Sequence, residues 1–201
     1  GCFERIKEAL LEPAKPGKTT AVGLIGSGAK VGVHGMGGVG KTILATAIAY
    51  DPEIQRAFPD GIYWLTFGFH DEGQKKDIEE TPVRSKGTEQ HILERQRQLA
   101  RAIEFNRNPD FNDIQGGSAF LEELLRDKAC LIILDDVWSS WHATAFPALG
   151  EGSRLLVTTR IGGVIKGLGA EKISIDILSE EESLDLLAKW SGQSLSDLPK
   201  N

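Results

Sequence analysis

Eight residues in the first quarter of the chain have a spacing suited to binding phosphate. The segment Gly35 to Thr42 is Gly-Met-Gly-Gly-Val-Gly-Lys-Thr, which matches the pattern G-x-x-x-x-G-K-[ST] in full. Its glycines at Gly37, Gly38 and Gly40 let the backbone turn tightly, so that N–H groups point at phosphate oxygens where a Cβ would intrude. The pattern predicts a loop that cradles the phosphates of a nucleotide.

The residues after the glycines add charge and a metal ligand. Lys41 is expected to reach the β- and γ-phosphates, and the hydroxyl of Thr42 is a ligand for Mg²⁺. A glycine-rich turn that includes Gly-Lys-Thr by chance is the alternative, and it is disfavoured because a β-rich run precedes the loop and a helix follows it. We therefore predict that the phosphate-binding residues are Gly37, Gly38, Val39, Gly40, Lys41, Thr42 and Ile43.

Two aspartates follow a run of apolar residues in the segment Leu131 to Asp136. An acidic residue at the end of a buried strand is costly unless it is paired or binds a metal. Asp135 is predicted to hold Mg²⁺, directly or through water, as a Walker B aspartate does. Asp136 is predicted to orient or deprotonate the attacking water. Aspartate also begins turns, and the spacing leaves open which of the two acids has which role.

A third polar group, Thr158-Thr159-Arg160, ends a predicted strand. An arginine at that place would reach a γ-phosphate and report its presence. The alternative is a surface arginine at the start of a helix, and only the position of Arg160 favours the functional role. If Arg160 has the functional role, the predicted catalytic residues are Lys41, Asp136 and Arg160. The predicted metal ligands are Thr42 and Asp135.

The elements that must position these residues alternate between strand and helix. The predicted strands are 30–34, 62–67, 129–134, 154–158 and 172–177. The predicted helices are 3–11, 20–25, 43–50, 88–105, 119–127 and 162–168, with a further one from Ser179, and 68–87 is predicted as an exposed loop. This alternation predicts an α/β fold with a five-stranded, mostly parallel sheet and helices on both faces. Ligands bind at the carboxyl ends of such strands, where all three polar groups fall.

Composition limits the classes of function. The 201 residues carry a net charge of −6, which lacks the basic footprint of a nucleic-acid-binding domain. Cys2 and Cys130 are far apart with no metal-ligand spacing, and Cys130 is expected to be a buried core thiol. No segment reaches the ~18 apolar residues of a membrane span, and no signal-peptide pattern is present. We expect a cytoplasmic domain that contacts neither membrane nor nucleic acid.

The choice of base is indicated by an absent motif. The guanine-reading segments Asn-Lys-x-Asp and Thr-Lys-x-Asp do not occur in the sequence. Adenine is therefore favoured, and ATP or ADP with Mg²⁺ is the expected ligand.

Together the spaced motifs resemble the NB-ARC family of STAND-class P-loop ATPases, which includes plant disease-resistance proteins, apoptotic protease-activating factors and bacterial multidomain regulators. The resemblance covers roughly residues 30–190. It is carried by the glycine loop, 58–66 (FPDGIYWLT), 131–138 (LIILDDVW), 152–160 (GSRLLVTTR) and 178–190.

The resemblance implies a P-loop NTPase three-layer sandwich in which the Arg160 strand lies between the P-loop strand and the Walker B strand. It also implies a slow ADP/ATP switch that gates self-association and signalling, with other domains of a longer protein as partners. On this basis the chain is divided into an N-terminal helical arm (1–29), a nucleotide-binding core (30–178) and the start of a next domain (179–201). The alternatives are a nucleotide-gated scaffold without significant turnover, a GTPase, or a small-molecule kinase with 68–87 as its lid.

Overall fold

The computed structural model describes residues 1–13, 21–26, 40–68, 86–146 and 152–175. The described helices are α1 (Cys2–Leu11), α2 (Lys41–Tyr50), α3 (Pro52–Ala57), α4 (Lys86–Ile103), α5 (Ile114–Leu125), α6 (Ser140–Thr144) and α7 (Gly162–Leu168). The described strands are β1 (Ala21–Gly26), β2 (Gly61–Thr66), β3 (Cys130–Val137), β4 (Arg154–Thr159) and β5 (Glu171–Ile175).

The five described strands form one sheet in the order β2-β3-β4-β1-β5, and every neighbouring pair is parallel. The strand that leads to Arg160 is β4, which lies between β1 and β3. Its place beside the Walker B strand β3 agrees with the resemblance, whereas the predicted P-loop strand 30–34 lies outside the described residues. The α/β class and the five-stranded parallel sheet are confirmed.

Helices cover both faces of this sheet. Side chains of α1, α2 and α3 form one apolar core with one face, and side chains of α4, α5, α6 and α7 form a second core with the other. Strand β3 contributes to both, because Leu131 and Ile133 face the first core whereas Ile132 and Leu134 face the second, each with no exposed surface. Successive side chains of a strand point to opposite faces, so a central strand needs apolar residues at every position.

Strand β1 corrects one sequence prediction. Residues 20–25 were expected to be helical, yet Ala21–Gly26 is a strand hydrogen-bonded between β4 and β5. Val22 and Leu24 are buried on the face that α1, α2 and α3 cover. A Cβ on Gly23 would lie 2.6 Å from the Ile165 side chain of α7, so close packing between strand and helix requires glycine here. Burial in the sheet therefore overrides the weak helical pattern of this segment.

The remaining differences are at element ends. The helix predicted to stop at Asp51 does stop, but Asp51 then begins α3, because its carboxylate accepts hydrogen bonds from the N–H groups of Glu53 (2.8 Å) and Ile54 (3.1 Å). The short helices α3 and α6 were not predicted, and β3 continues through both aspartates. The predicted strand 30–34, most of the predicted loop 68–87 and the helix from Ser179 lie outside the described residues.

The division of the chain at residues 29 and 178 stays a prediction, although α1 and β1 pack into the same core as α2. Cys130 is fully buried, as expected for a core thiol. Within the described ranges, no helix has both the length and the hydropathy that crossing a bilayer requires.

Candidate functional site

The start of α2 lies at the carboxyl edge of the sheet. Gly40 precedes the helix with a φ of +88°, a left-handed conformation that favours glycine. Lys41 is only 8% exposed at the first helical position, whereas the side chain of Ile43 points to solvent. The first N–H groups of a helix have no intrahelical partner, so any role of Ile43 in binding phosphate belongs to its backbone. Gly37, Gly38 and Val39 lie outside the described residues.

Asp135 is the buried carboxylate that faces α2. Its Oδ1 accepts a hydrogen bond from the Thr42 hydroxyl at 3.0 Å and another from the Thr158 hydroxyl at 2.6 Å. A hydroxyl and a carboxylate from two different elements therefore meet, as the sequence predicts for the metal ligands. Hard oxygen donors of this kind suit Mg²⁺, which binds through one or two protein groups and completes its shell with water and phosphate. Within the described part of the chain, no group of three or more acidic, histidine or cysteine side chains is placed to hold a metal ion.

The pKa of Lys41 is shifted by three charged side chains of the site. Burial lowers the pKa of its ammonium group, and the positive charge of Arg160 lowers it further. The negative charges of Asp136 and Asp135 act in the opposite direction and partly offset the effect on this pKa. A partly desolvated ammonium beside an arginine gains more from an anionic ligand than one in open water does.

The backbone of β3 is irregular at the second aspartate. Leu134 pairs with Val157 and Val137 pairs with Thr159, so β3 has one more residue than β4 over this interval. The extra residue forms a β-bulge. Asp136 has a φ of +54°, the only positive value of a described residue other than glycine. Its N–H donates to the Thr158 hydroxyl at 2.9 Å, so Thr158 is bonded to both aspartates. Unfavourable backbone conformations of this kind persist where surrounding contacts enforce them, and they concentrate at functional sites.

Arg160 follows directly after β4 and lies beside Asp136. Its Nε is 3.4 Å from Asp136 Oδ1, and its guanidinium carbon is 5.3 Å from the centre of the Trp138 ring. The indole N–H of Trp138 donates to Asp136 Oδ2 at 3.2 Å. The structure therefore brings together all five charged or metal-binding side chains predicted from the sequence: Lys41, Thr42, Asp135, Asp136 and Arg160.

Two further residues at this site were within the recognised motifs but had no predicted role. Thr158 binds both aspartates, and Trp138 contacts Asp136 and Arg160. The sequence motifs alone do not predict these contacts. They depend on the β3–β4 register and on the bulge, which a single sequence does not reveal.

A recess of about 580 Å³ lies elsewhere, between the last turns of α2 and the start of β2. Tyr50, Gly61 and Trp64 are among the residues that line it. Since β2 starts at the opposite edge of the sheet from the aspartates, this recess is separate from the predicted site.

The family model of the NB-ARC domain matches residues 3–196. This chain belongs to the NB-ARC family. It is a nucleotide-binding domain of a kind found in signalling proteins, which confirms the resemblance noted from its motifs.

Relatives of this NB-ARC domain come from animals and plants. It is 27% identical to the human "Apoptotic protease-activating factor 1" over 177 residues, covering 85% of this chain and 13% of the relative. It is 29% identical to "Disease resistance protein RPP13" of Arabidopsis thaliana over 163 residues, covering 78% of this chain and 18% of the relative. The chain thus spans less than a fifth of the length of these two relatives.

A similar solved structure is a signal transduction ATPase with numerous domains (STAND) from Pyrococcus horikoshii, which carries a tetratricopeptide repeat sensor. The match has a TM-score of 0.48 and 17% sequence identity, and it covers 90% of this chain and 24% of the other.

Proposed function

We propose that this NB-ARC domain is an adenine-nucleotide switch of a larger signal-transducing regulator, which binds ATP or ADP with Mg²⁺ and hydrolyses ATP slowly. The observation that carries the proposal is the 3.0 Å contact between the Thr42 hydroxyl and Asp135, next to the partly desolvated ammonium of Lys41. A metal-binding hydroxyl, a carboxylate and a cation meet there at the start of a helix, which is the arrangement that phosphate with Mg²⁺ requires.

Each side chain has a role that follows from its position. Lys41 offsets negative charge on the terminal phosphates, and Thr42 and Asp135 hold Mg²⁺. Bound Mg²⁺ would neutralise charge on the phosphate oxygens. Asp136 orients the attacking water or accepts its proton, and Arg160 senses whether a γ-phosphate is present. Adenine is proposed rather than guanine because the guanine-reading motifs are absent from the sequence.

A nucleotide-gated scaffold without significant turnover is the second candidate, and one observation favours it. Both carboxylate oxygens of Asp136 are engaged, Oδ2 by the Trp138 N–H and Oδ1 by Arg160. An acid held in this way is poorly placed to accept a proton from water. Measuring phosphate release together with the oligomeric state, under ATP and under a non-hydrolysable analogue, separates the two candidates. Assembly under both nucleotides with no phosphate release would favour the scaffold.

The partners and location follow from the same proposal. The chain spans 13% and 18% of two longer relatives, so other domains of the same protein are the proposed partners, together with nucleotide-dependent self-association of the full protein. A cytoplasmic location is also proposed, because the buried thiol of Cys130 suits a reducing compartment.

The first experiment is to denature the purified protein and identify any released nucleotide by chromatography. ADP or ATP would support the proposal, and GDP would overturn the choice of base. Calorimetry should then show that Lys41→Ala abolishes nucleotide binding. Asp136→Asn should keep binding and lose single-turnover hydrolysis, and undiminished hydrolysis by this variant would contradict the role given to Asp136. Transfer of label from ATP to a metabolite would favour a kinase instead.

A further inference from the structure

Trp138 touches both functional side chains that surround the bulge. It lies just after β3 and is half-buried. Its indole N–H donates to Asp136 Oδ2 at 3.2 Å, and its ring lies 5.3 Å from the guanidinium carbon of Arg160. Asp136 and Arg160 also contact each other, at 3.4 Å between Oδ1 and Nε. The three side chains form a closed triangle in which each one touches the other two.

The ion pair alone is too weak to hold Arg160 in place. The arginine side chain is 36% exposed and the aspartate side chain 27% exposed, and ion pairs with this degree of solvation contribute little. An aromatic ring below the guanidinium adds cation–π attraction and restricts the side-chain rotamers that arginine can adopt. The ring can also keep this contact when the guanidinium exchanges a carboxylate for a phosphate as its hydrogen-bond partner, because the ring face and the N–H groups point in different directions.

We propose that Trp138 is a positioning residue that orders Arg160 and Asp136, so that the engagement of Arg160 by a terminal phosphate releases Oδ1 of Asp136. The recognition of phosphate and the availability of the carboxylate are then coupled through one indole ring. The phosphate half of this inference rests on the proposed function. The contact between Trp138 and Arg160 does not, and it can be tested in the protein without nucleotide.

Two substitutions separate the ring from its N–H group. Trp138→Phe keeps an aromatic face for Arg160 and removes the hydrogen bond to Asp136, whereas Trp138→Leu removes both contacts. Trp64→Phe is the matched control, because its indole N–H also donates to a side-chain oxygen at 3.2 Å, that of Thr66 on the edge strand β2. Urea unfolding of each variant first establishes that it is folded.

The first measurement is tryptophan emission without nucleotide. The contribution of Trp138 is the difference between the parent and Trp138→Phe, measured with Arg160 present and again with Arg160→Ala. The contact predicts that Arg160→Ala changes this difference spectrum and leaves the contribution of Trp64, obtained in the same way, unchanged. An unchanged Trp138 contribution would overturn the inference.

The second measurement is calorimetric affinity for ATP and ADP with Mg²⁺. Trp138→Leu should reduce the preference for ATP over ADP by about two- to fivefold, the size expected from a lost cation–π contact. Trp138→Phe and Trp64→Phe should retain the preference. Adding Trp138→Leu to Arg160→Ala should cause no further loss, because the ring acts through the arginine.

The outcomes distinguish the two proposals. If Arg160→Ala lowers the preference for ATP and Trp138→Leu does not, the positioning role is wrong and the proposed function stands. If the parent binds neither nucleotide, the proposed function is wrong, and the coupling to phosphate is overturned with it. The emission comparison would then still decide whether Trp138 holds Arg160.

Discussion

Removing the hydroxyl of Thr158 should both destabilise the domain and loosen Asp135, the carboxylate proposed to bind Mg²⁺. This hydroxyl donates to Asp135 Oδ1 at 2.6 Å and accepts from the N–H of Asp136 at 2.9 Å. Thr158 is 1% exposed, so water cannot take over either bond without a rearrangement. Thr158→Val replaces the hydroxyl by a methyl group of similar volume, and the change is therefore mainly one of hydrogen bonding.

The expected loss of stability can be estimated from the two hydrogen bonds of the Thr158 hydroxyl. Loss of a hydrogen bond to a charged group costs about 1.5–3 kcal/mol, and a buried N–H left without a partner costs about 1–3 kcal/mol. Because one hydroxyl serves both and the chain can relax, we expect a total loss of about 2–4 kcal/mol in the free energy of unfolding. In a domain of this size, each kcal/mol lowers the midpoint of thermal unfolding by about 2–4 °C, so the expected decrease is roughly 4–16 °C.

The assay is urea unfolding followed by circular dichroism, with two control variants. Thr158→Ser keeps the hydroxyl and loses only a methyl group, which costs about 1 kcal/mol. Thr159→Val is the matched control, because the Thr159 hydroxyl is also buried, donates to the Val137 carbonyl at 2.6 Å and accepts from a backbone N–H at 3.0 Å. It should lose similar stability without affecting Asp135.

Two results would refute this reasoning. One is a Thr158→Val protein as stable as Thr158→Ser to within about 0.5 kcal/mol, the usual range for substitutions that break no specific contact. The other concerns Mg²⁺: Thr158→Val should weaken the dependence of nucleotide affinity on Mg²⁺, whereas Thr159→Val should leave it unchanged. Equal effects of the two variants would show that the hydroxyl supports the fold only.

Three further changes test other parts of the molecule. Burial lowers the pKa of Lys41 in the folded state, so its charged form costs stability at neutral pH. This cost decreases as the pH rises from the lowered pKa of the folded state to the ordinary pKa of the unfolded chain. Lys41→Met should therefore raise the thermal midpoint of the nucleotide-free protein at pH 7 and raise it less at pH 10. Gly23→Val should lower stability by more than about 2 kcal/mol, because its Cβ would lie 2.6 Å from a side chain of α7. Gly163→Val is the control, because a Cβ there would come no closer than 3.9 Å to another side chain, and equal losses from the two variants would contradict this packing. Burial raises the pKa of Cys130 to about 11, so at pH 8 a thiol reagent should modify Cys130 only after the protein unfolds, and rapid modification of Cys130 in the folded protein would contradict this burial.

The convergence of the charged groups could be predicted because it depends on few assumptions. The run from Leu131 to Leu134 is apolar at every position, which indicates a strand covered on both faces, and parallel strands end at the same edge of a sheet. The aspartates after this strand, the arginine after the next and the Lys-Thr pair at the start of α2 must then meet. The 3.0 Å contact between Thr42 and Asp135 is the direct outcome.

Strand β1 could not be predicted from the sequence, because its short apolar run is compatible with a helix or a strand and a similar segment follows it. Residues 21–26 are Ala-Val-Gly-Leu-Ile-Gly and residues 30–35 are Lys-Val-Gly-Val-His-Gly. Local preference favours the second segment for a strand that leads into the glycine loop. The feature that identifies residues 21–26 as a strand is the packing of Gly23 against Ile165 of α7, which only the assembled sheet reveals.

The bulge at Asp136 explains how two consecutive aspartates can serve one site. In a regular strand they would point to opposite faces of the sheet, one toward α2 and one away from it. The left-handed residue at Asp136 breaks this alternation at a cost of about 1–2 kcal/mol, and the Thr158 hydroxyl offsets that cost by binding the displaced N–H. Both carboxylates consequently act on the charge of Lys41. A strand pattern in the sequence assigns consecutive residues to opposite faces of the sheet. The bulge breaks this rule, and it therefore places Asp135, the predicted metal ligand, and Asp136, the predicted base, beside the same lysine.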